Sequence, residues 1–209
     1  MNRFFAAIPL ALTLIMAPLA QAQTYTDSDR VGLRASQTPG LGIEMRFGQT
    51  ITTDNFGSSD LGNGATFEFH GVYQLSRNFG LYTGVTGAIF DANNDFTSRD
   101  NLIADLGYVA GVRLNGGFGQ SRVGWRLHGG ANYGEIKLYE EDTDSNIGAS
   151  GHKLGWEAGA AITIDLPNEW VLSPGVTYRS RSANLRINGI DREVDLNYVT
   201  VGVGLGVTF

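Results

Sequence analysis

The three histidines are the first residues to test for chemistry. They fall in His70-Gly71-Val72, His128-Gly129-Gly130 and His152-Lys153-Leu154. Nucleophilic catalysis needs a nucleophile and a base within hydrogen-bond reach, and none of the three has a nearby serine on its own strand face. His70 and His128 point to the interior and read as hydrogen-bonded lumen groups, and no enzymatic activity is expected. Asp91, Asn93 and Asp95 have the one-three-five spacing of a calcium loop. The sixth position is Phe96 and the twelfth Leu102, where an EF-hand needs glycine and glutamate. Glu140, Glu141, Asp142 and Asp144 form an acidic run that reads as a solvated loop tip. No metal and no cofactor is expected. The remaining charges are more informative, because they alternate with apolar residues along the chain.

That alternation has a period of two, the mark of strands with one apolar and one polar or small face. Eight strands are expected: 40–48, 65–75, 79–90, 102–114, 122–138, 153–166, 170–179 and 196–209. On the last of these, Val199, Val201, Val203, Leu205, Val207 and Phe209 oppose Tyr198, Thr200, Gly202, Gly204, Gly206 and Thr208. In the third, where alternation is weaker, Leu81, Val85 and Ile89 are assigned to the apolar side. The connections at 49–64, 91–101, 139–152 and 180–195 are long, and those at 76–78, 115–121 and 167–169 are short. Long and short alternate strictly. In an up-and-down barrel successive connections fall on opposite rims, so all the long ones share one rim.

The beginning of the chain bears on the compartment. Residues 1–22 read as a cleaved signal peptide, with Arg3 as its only charge, an apolar run from Phe4 to Ala20, and Ala20-Gln21-Ala22 as the cleavage site. Residues 23–39 read as a polar N-terminal arm, and 40–209 as the barrel domain. The chain has no cysteine, so no disulfide framework supports an exported fold. Its net charge of −6 argues against a nucleic-acid partner, which would need a basic footprint. Twenty-nine glycines beside only 5 prolines do not indicate low complexity. Beyond the signal, no apolar run approaches the ~20 residues of a membrane helix.

Which face meets the interior decides the class. The polar faces carry Glu44, Arg46, Glu68, His70, Asp105, Arg113, Arg126, His128, Glu157, Asp165 and Arg179. Eight strands enclose only enough room for side chains, and these charges would not line an apolar ligand pocket. They fit a paired polar lumen, which leaves the apolar faces against lipid. Arg126 is expected to pair with Asp165, with Arg113 nearby, closing the lumen. Aromatic side chains divide between the two ends of the strands: Tyr73, Trp125, Trp170 and Phe209 near the short turns, Phe67, Tyr133, Trp156 and Tyr178 near the long loops. Membrane interfaces favour two such girdles.

With these features the chain resembles the small eight-stranded outer-membrane barrels of Gram-negative bacteria: the OmpA transmembrane domain, OmpX and the opacity-like porins. The resemblance spans the signal and residues 40–209, and its most specific stretch is the closing VTVGVGLGVTF. It implies that Val203, Leu205, Val207 and Phe209 form the signal read by the outer-membrane assembly machinery. It also implies outer-membrane lipid and lipopolysaccharide as surroundings. The peptidoglycan-anchoring domain of full-length OmpA is not expected after Phe209.

The expectation is therefore an all-β, eight-stranded antiparallel up-and-down transmembrane barrel in the bacterial outer membrane. It is expected to be monomeric, with a structural or surface-interaction role and a lumen closed by charge. The alternative is a narrow porin-like channel, passing polar solutes through the lumen or apolar ones by lateral exit.

Overall fold

The computed structural model describes residues 40–53, 61–92, 101–119, 121–140, 145–187 and 190–209. The signal segment, the N-terminal arm and the acidic run at 141–144 lie outside the described residues, as does most of the calcium-like spacing. Eight strands are present: β1 Gly40–Thr52, β2 Leu61–Gln74, β3 Phe79–Ala92, β4 Asn101–Gly117, β5 Val123–Glu140, β6 Ser145–Asp165, β7 Trp170–Ile187 and β8 Ile190–Thr208. Every neighbouring pair is antiparallel, and β8 returns to β1, closing the barrel. Closure pairs the first strand with the last, so the backbone groups of the wall pair with one another except where the β6–β7 ladder is interrupted between Ala149 and Trp156.

The alternation of exposed and buried residues read from the sequence is present on each strand, with an interruption on β6 where Gly151 to Leu154 are all exposed. On β3, Leu81, Val85 and Ile89 face out, while Tyr82, Thr86, Ala88 and Phe90 are buried inside. On β8, Val201 is 51% exposed beside a Thr200 that is 8% exposed. Large exposed apolar side chains such as Leu41, Phe47, Leu106, Val112, Leu127, Ile162 and Val176 circle the outside. A continuous belt of that kind marks an apolar solvent or an interface.

Two expected boundaries are corrected. Residues 180–195 are not a long loop: β7 runs on to Ile187 and β8 starts at Ile190. Likewise 145–152 belong to β6. β4 to β8 are 17 to 21 residues long, well beyond the ~9–11 that cross hydrocarbon at a tilt. The extra length lies at the long-loop end, where the two faces exchange character. Outward positions there become Glu135 and Lys137 on β5, Ser182, Asn184 and Arg186 on β7, and Glu193, Asp195 and Asn197 on β8. Inward positions become Phe90, Ile103, Ile136, Leu138, Leu185, Val194 and Leu196, which form one buried apolar cluster. Polar outside and apolar inside is the pattern of a barrel in water. The wall therefore continues past the apolar belt as a water-facing collar.

Candidate functional site

The lumen is where the charged side chains converge, and they stack in layers. Nearest the short turns, Glu44 from β1 accepts hydrogen bonds from Arg126 Nη1 at 2.6 Å and Arg113 Nη1 at 3.0 Å. Arg46 Nε lies 3.6 Å from the same carboxylate, and Ser173 Oγ donates to it at 3.4 Å. One carboxylate thus answers three guanidinium groups. In the next layer Arg46 Nη1 donates to Glu68 at 3.3 Å, and His70 lies beside that glutamate. His128 Nε2 stands 3.2 Å from Thr177 Oγ1 and 3.4 Å from Arg46.

Arg179 is the hub of the middle layer and is 1% exposed. Its Nη2 donates to Glu68 at 2.9 Å and to Glu157 at 2.5 Å, and its Nε to Glu157 at 3.0 Å. Nη1 donates to Thr86 Oγ1 at 2.6 Å and to Tyr198 at 2.9 Å. Every guanidinium nitrogen is occupied, and two carboxylates share one fork. Paired and fully hydrogen-bonded charges are the form in which charge survives burial. Glu157 also accepts from Tyr82 at 2.8 Å. Above it, Arg181 pairs with Asp105 and donates to Asn132 Oδ1 at 2.7 and 3.0 Å, while the Tyr198 hydroxyl donates to Asp105 at 3.0 Å. The apolar cluster lies directly over this layer.

Glycines on facing strands make the room. A Cβ at Gly130 would come within 2.8 Å of the Tyr82 hydroxyl, and one at Gly134 within 2.9 Å of Arg181 Nη1. At Gly204 it would sit 2.8 Å from Glu44 Oε1. The small face of β8 thus gives up volume to Glu44 and Arg46 of β1 and Ser173 of β7, the strands on either side of it. A cavity of about 10 Å³, space for about one water, remains beside Arg46, Thr66, Glu68, Thr177 and Thr200.

One expected pair is overturned. Arg126 does not meet Asp165. The β5–β6 register sets Arg126 opposite Ala161, and Asp165 N donates at 2.8 Å to Arg122 O at the turn rim. A shift by an even number of residues leaves both faces unchanged, so alternation is blind to it. Tyr82, Asn132, Arg181 and Tyr198 are members that the sequence reading did not include. Tyr198 and Tyr82 were discoverable by parity, since they share faces with Thr200 and Thr86. Arg181 was concealed by reading its segment as a loop.

The aromatic side chains expected in the two girdles lie on the outer side of the wall. Tyr73, Phe67, Tyr133, Trp156 and Trp170 are exposed, and Trp125 and Tyr178 are half-buried. Trp156 and Tyr178 rings lie 5.2 Å apart on adjacent strands, and Phe47 and Phe67 5.1 Å apart. Trp125 covers Gly116, where a Cβ would come within 2.4 Å of its ring. At the end of the chain Leu205 and Phe209 face out and Val203 and Val207 are half-buried, with Phe209 N held by Leu41 O at 2.7 Å. Among the described residues no group of acidic or histidine side chains is arranged to hold a metal ion.

Residues 8–209 match the profile of the outer membrane protein beta-barrel domain. The chain belongs to that family. It is a transmembrane barrel of the bacterial outer membrane, and the apolar belt is its lipid-facing surface. Among solved structures it is similar to the outer membrane protein OprG from Pseudomonas aeruginosa, at 12% identity and a TM-score of 0.57, covering 82% of this chain and 97% of that one. Neisserial surface protein A is similar at 13% identity and a TM-score of 0.54, with coverage of 82% and 97%. A major outer membrane protein from Thermus thermophilus is similar at 14% identity and a TM-score of 0.52, with coverage of 82% and 100%. These likenesses carry the fold alone. No curated protein matches the sequence significantly.

Proposed function

We propose that this outer-membrane barrel is a closed, monomeric, non-enzymatic protein whose rigid stem carries a surface-exposed collar and loops, with a structural or surface-interaction role. The observation that carries the reading is the double occlusion of the lumen. The ionic layers around Arg179 and Glu44 fill the membrane-spanning part, and the apolar cluster of Phe90, Ile103, Ile136, Leu138 and Leu185 fills the collar above it. An ion travelling along the axis would have to break buried charge pairs and then enter an apolar section. Purified protein in a planar bilayer is expected to give no stable unit currents. Reproducible unit currents at moderate voltage would replace this reading with the channel.

One feature favours the alternative of lateral exit for apolar solutes. The β6–β7 ladder is interrupted between Ala149↔Arg186 and Trp156↔Ser180, next to the inward Ala183 and Leu185. Faster entry of an apolar solute into vesicles bearing the protein, without unit currents, would support that route.

The outward Val203, Leu205, Val207 and Phe209 are the segment we assign to recognition by the assembly machinery, with residues 1–22 as the export signal. Phe209 is 77% exposed, so its ring stabilises the barrel little and is available to be read. Deleting Phe209 is expected to lower the amount of barrel in the outer membrane while leaving the unfolding midpoint of refolded protein almost unchanged. Normal membrane levels would contradict the assignment.

A further inference from the structure

The charges inside the barrel do not cancel. Among the described residues five guanidinium groups enter the lumen, those of Arg46, Arg113, Arg126, Arg179 and Arg181. Four carboxylates are buried with them, those of Glu44, Glu68, Asp105 and Glu157. Arg46, Arg179 and Arg181 answer Glu68, Glu157 and Asp105, three against three. Arg113 and Arg126 are left to share Glu44, both through its Oε2. One positive charge is therefore unmatched, and protonation of His70 or His128 would only add to it. Asp165 does not make up the difference. It stands on the rim, four residues along β6 from the Ala161 that faces Arg126, a separation of about 13 Å along the strand.

Two buried N–H groups beside this pair also lack an acceptor. Arg113 Nε and His128 Nδ1 are enclosed without a hydrogen-bond partner among the described residues. The two residues face each other across the β4–β5 ladder. His128 presents Nε2 to Arg46 Nη1 at 3.4 Å. A guanidinium only donates, so Nε2 is the accepting nitrogen and Nδ1 carries the proton. An unmatched positive charge and two unanswered donors on facing residues call for the same thing, a negatively charged acceptor. It has a way in. The Glu44 layer is the one nearest the short turns, and the inward residues around that mouth, Gly40, Asn115, Asp165 and Val171, are only half-buried. A solute from the water at that end reaches Arg113 without passing the Arg179 layer or the apolar cluster.

We propose that the lumen takes up a small monovalent inorganic anion, of the halide class, from the short-turn side. Arg113 holds it, with His128 Nδ1 as a second donor and Arg126 adding charge. A single negative charge balances the lumen, and a spherical ion accepts hydrogen bonds from any direction. The bound ion completes the ionic layer at the foot of the barrel. This is a binding role beyond the closed-stem reading and independent of it.

The test is urea unfolding of the folded protein in nonionic detergent, with sodium chloride exchanged for sodium gluconate at constant ionic strength. Gluconate carries the same charge in a much bulkier ion. The wild-type midpoint is expected to rise with chloride, and chloride at about 100 times its dissociation constant should favour the folded state about 100-fold. Asn115 Oδ1 already accepts from Arg126 Nε at 3.1 Å, so Asn115→Asp supplies the missing charge in place. That variant should be more stable than wild type in gluconate and should no longer respond to chloride. Arg113→Gln removes the unmatched charge and should lose the response as well. Arg77→Gln, at an exposed turn, should keep it. A wild-type midpoint that is the same in the two salts, an undiminished chloride response in either lumen variant, or an equal loss in Arg77→Gln would each overturn the proposal. Should Arg113→Gln fail to fold, Asn115→Asp decides alone. None of these outcomes depends on whether the lumen conducts.

Discussion

Replacing Arg179 with alanine is expected to be the most damaging single change in the barrel, lowering its unfolding free energy by about 3–5 kcal/mol. The cost does not come from losing an attraction alone. Arg179 is completely enclosed and carries hydrogen bonds to Glu68, Glu157, Thr86 and Tyr198. Its removal strands two carboxylates in a space with little water. Glu68 keeps Arg46 at 3.3 Å and Glu157 keeps Tyr82 at 2.8 Å, so neither is left wholly alone, but the shared cation is gone. Arg179→Lys should recover only part of the loss, because an ammonium cannot reproduce the fork that spans both acids. Adding Glu157→Gln to Arg179→Ala should restore stability relative to Arg179→Ala, since it removes one uncompensated charge. Urea unfolding in lipid vesicles, followed by heat-modifiable gel migration, measures each variant. A loss below about 1 kcal/mol for Arg179→Ala, the size typical of an exposed pair, would mean that the network is solvated and not sealed.

The faces of the barrel were legible in the sequence because a strand has a period of two, and a single apolar face must meet a single solvent. Even β3, with Gly84 and Gly87 diluting its pattern, turns Leu81, Val85 and Ile89 outward as its parity demands. The collar was not legible for the same reason. Its strands invert the relation, with Val194 and Leu196 inside and Glu193 and Asp195 outside, so a reading that sought lipid-facing apolar residues stopped at Arg179 and resumed at Leu196. Water replaces lipid as the outer solvent there, and the sequence carries no explicit mark of that boundary. Arg181, two residues beyond Arg179 and on the same face, was lost with it.

Partners across the lumen were less legible than faces. Which acid meets which arginine depends on register and on the stagger of strands around the barrel, and alternation fixes neither. Arg126 therefore finds Glu44, on a strand far away in the sequence, and not Asp165 on the adjacent one. The glycines were informative only in combination. Gly130 and Gly134 look like weak points in β5 until Tyr82 and Arg181 are seen to occupy the space above them.

A lumen sealed from both ends is directly testable, because the chain has no native cysteine. Ala88 faces inward as part of the apolar cluster and is fully buried, whereas Asp91, near the end of the same strand, is exposed. Ala88→Cys and Asp91→Cys proteins, folded in vesicles, would be treated with a small charged thiol reagent on both sides of the membrane. The expected result is rapid labelling of Asp91→Cys, no labelling of Ala88→Cys until the protein is unfolded, and full labelling of both thereafter. Labelling of folded Ala88→Cys at a rate comparable to Asp91→Cys would mean a water-filled passage through the barrel and would contradict the seal.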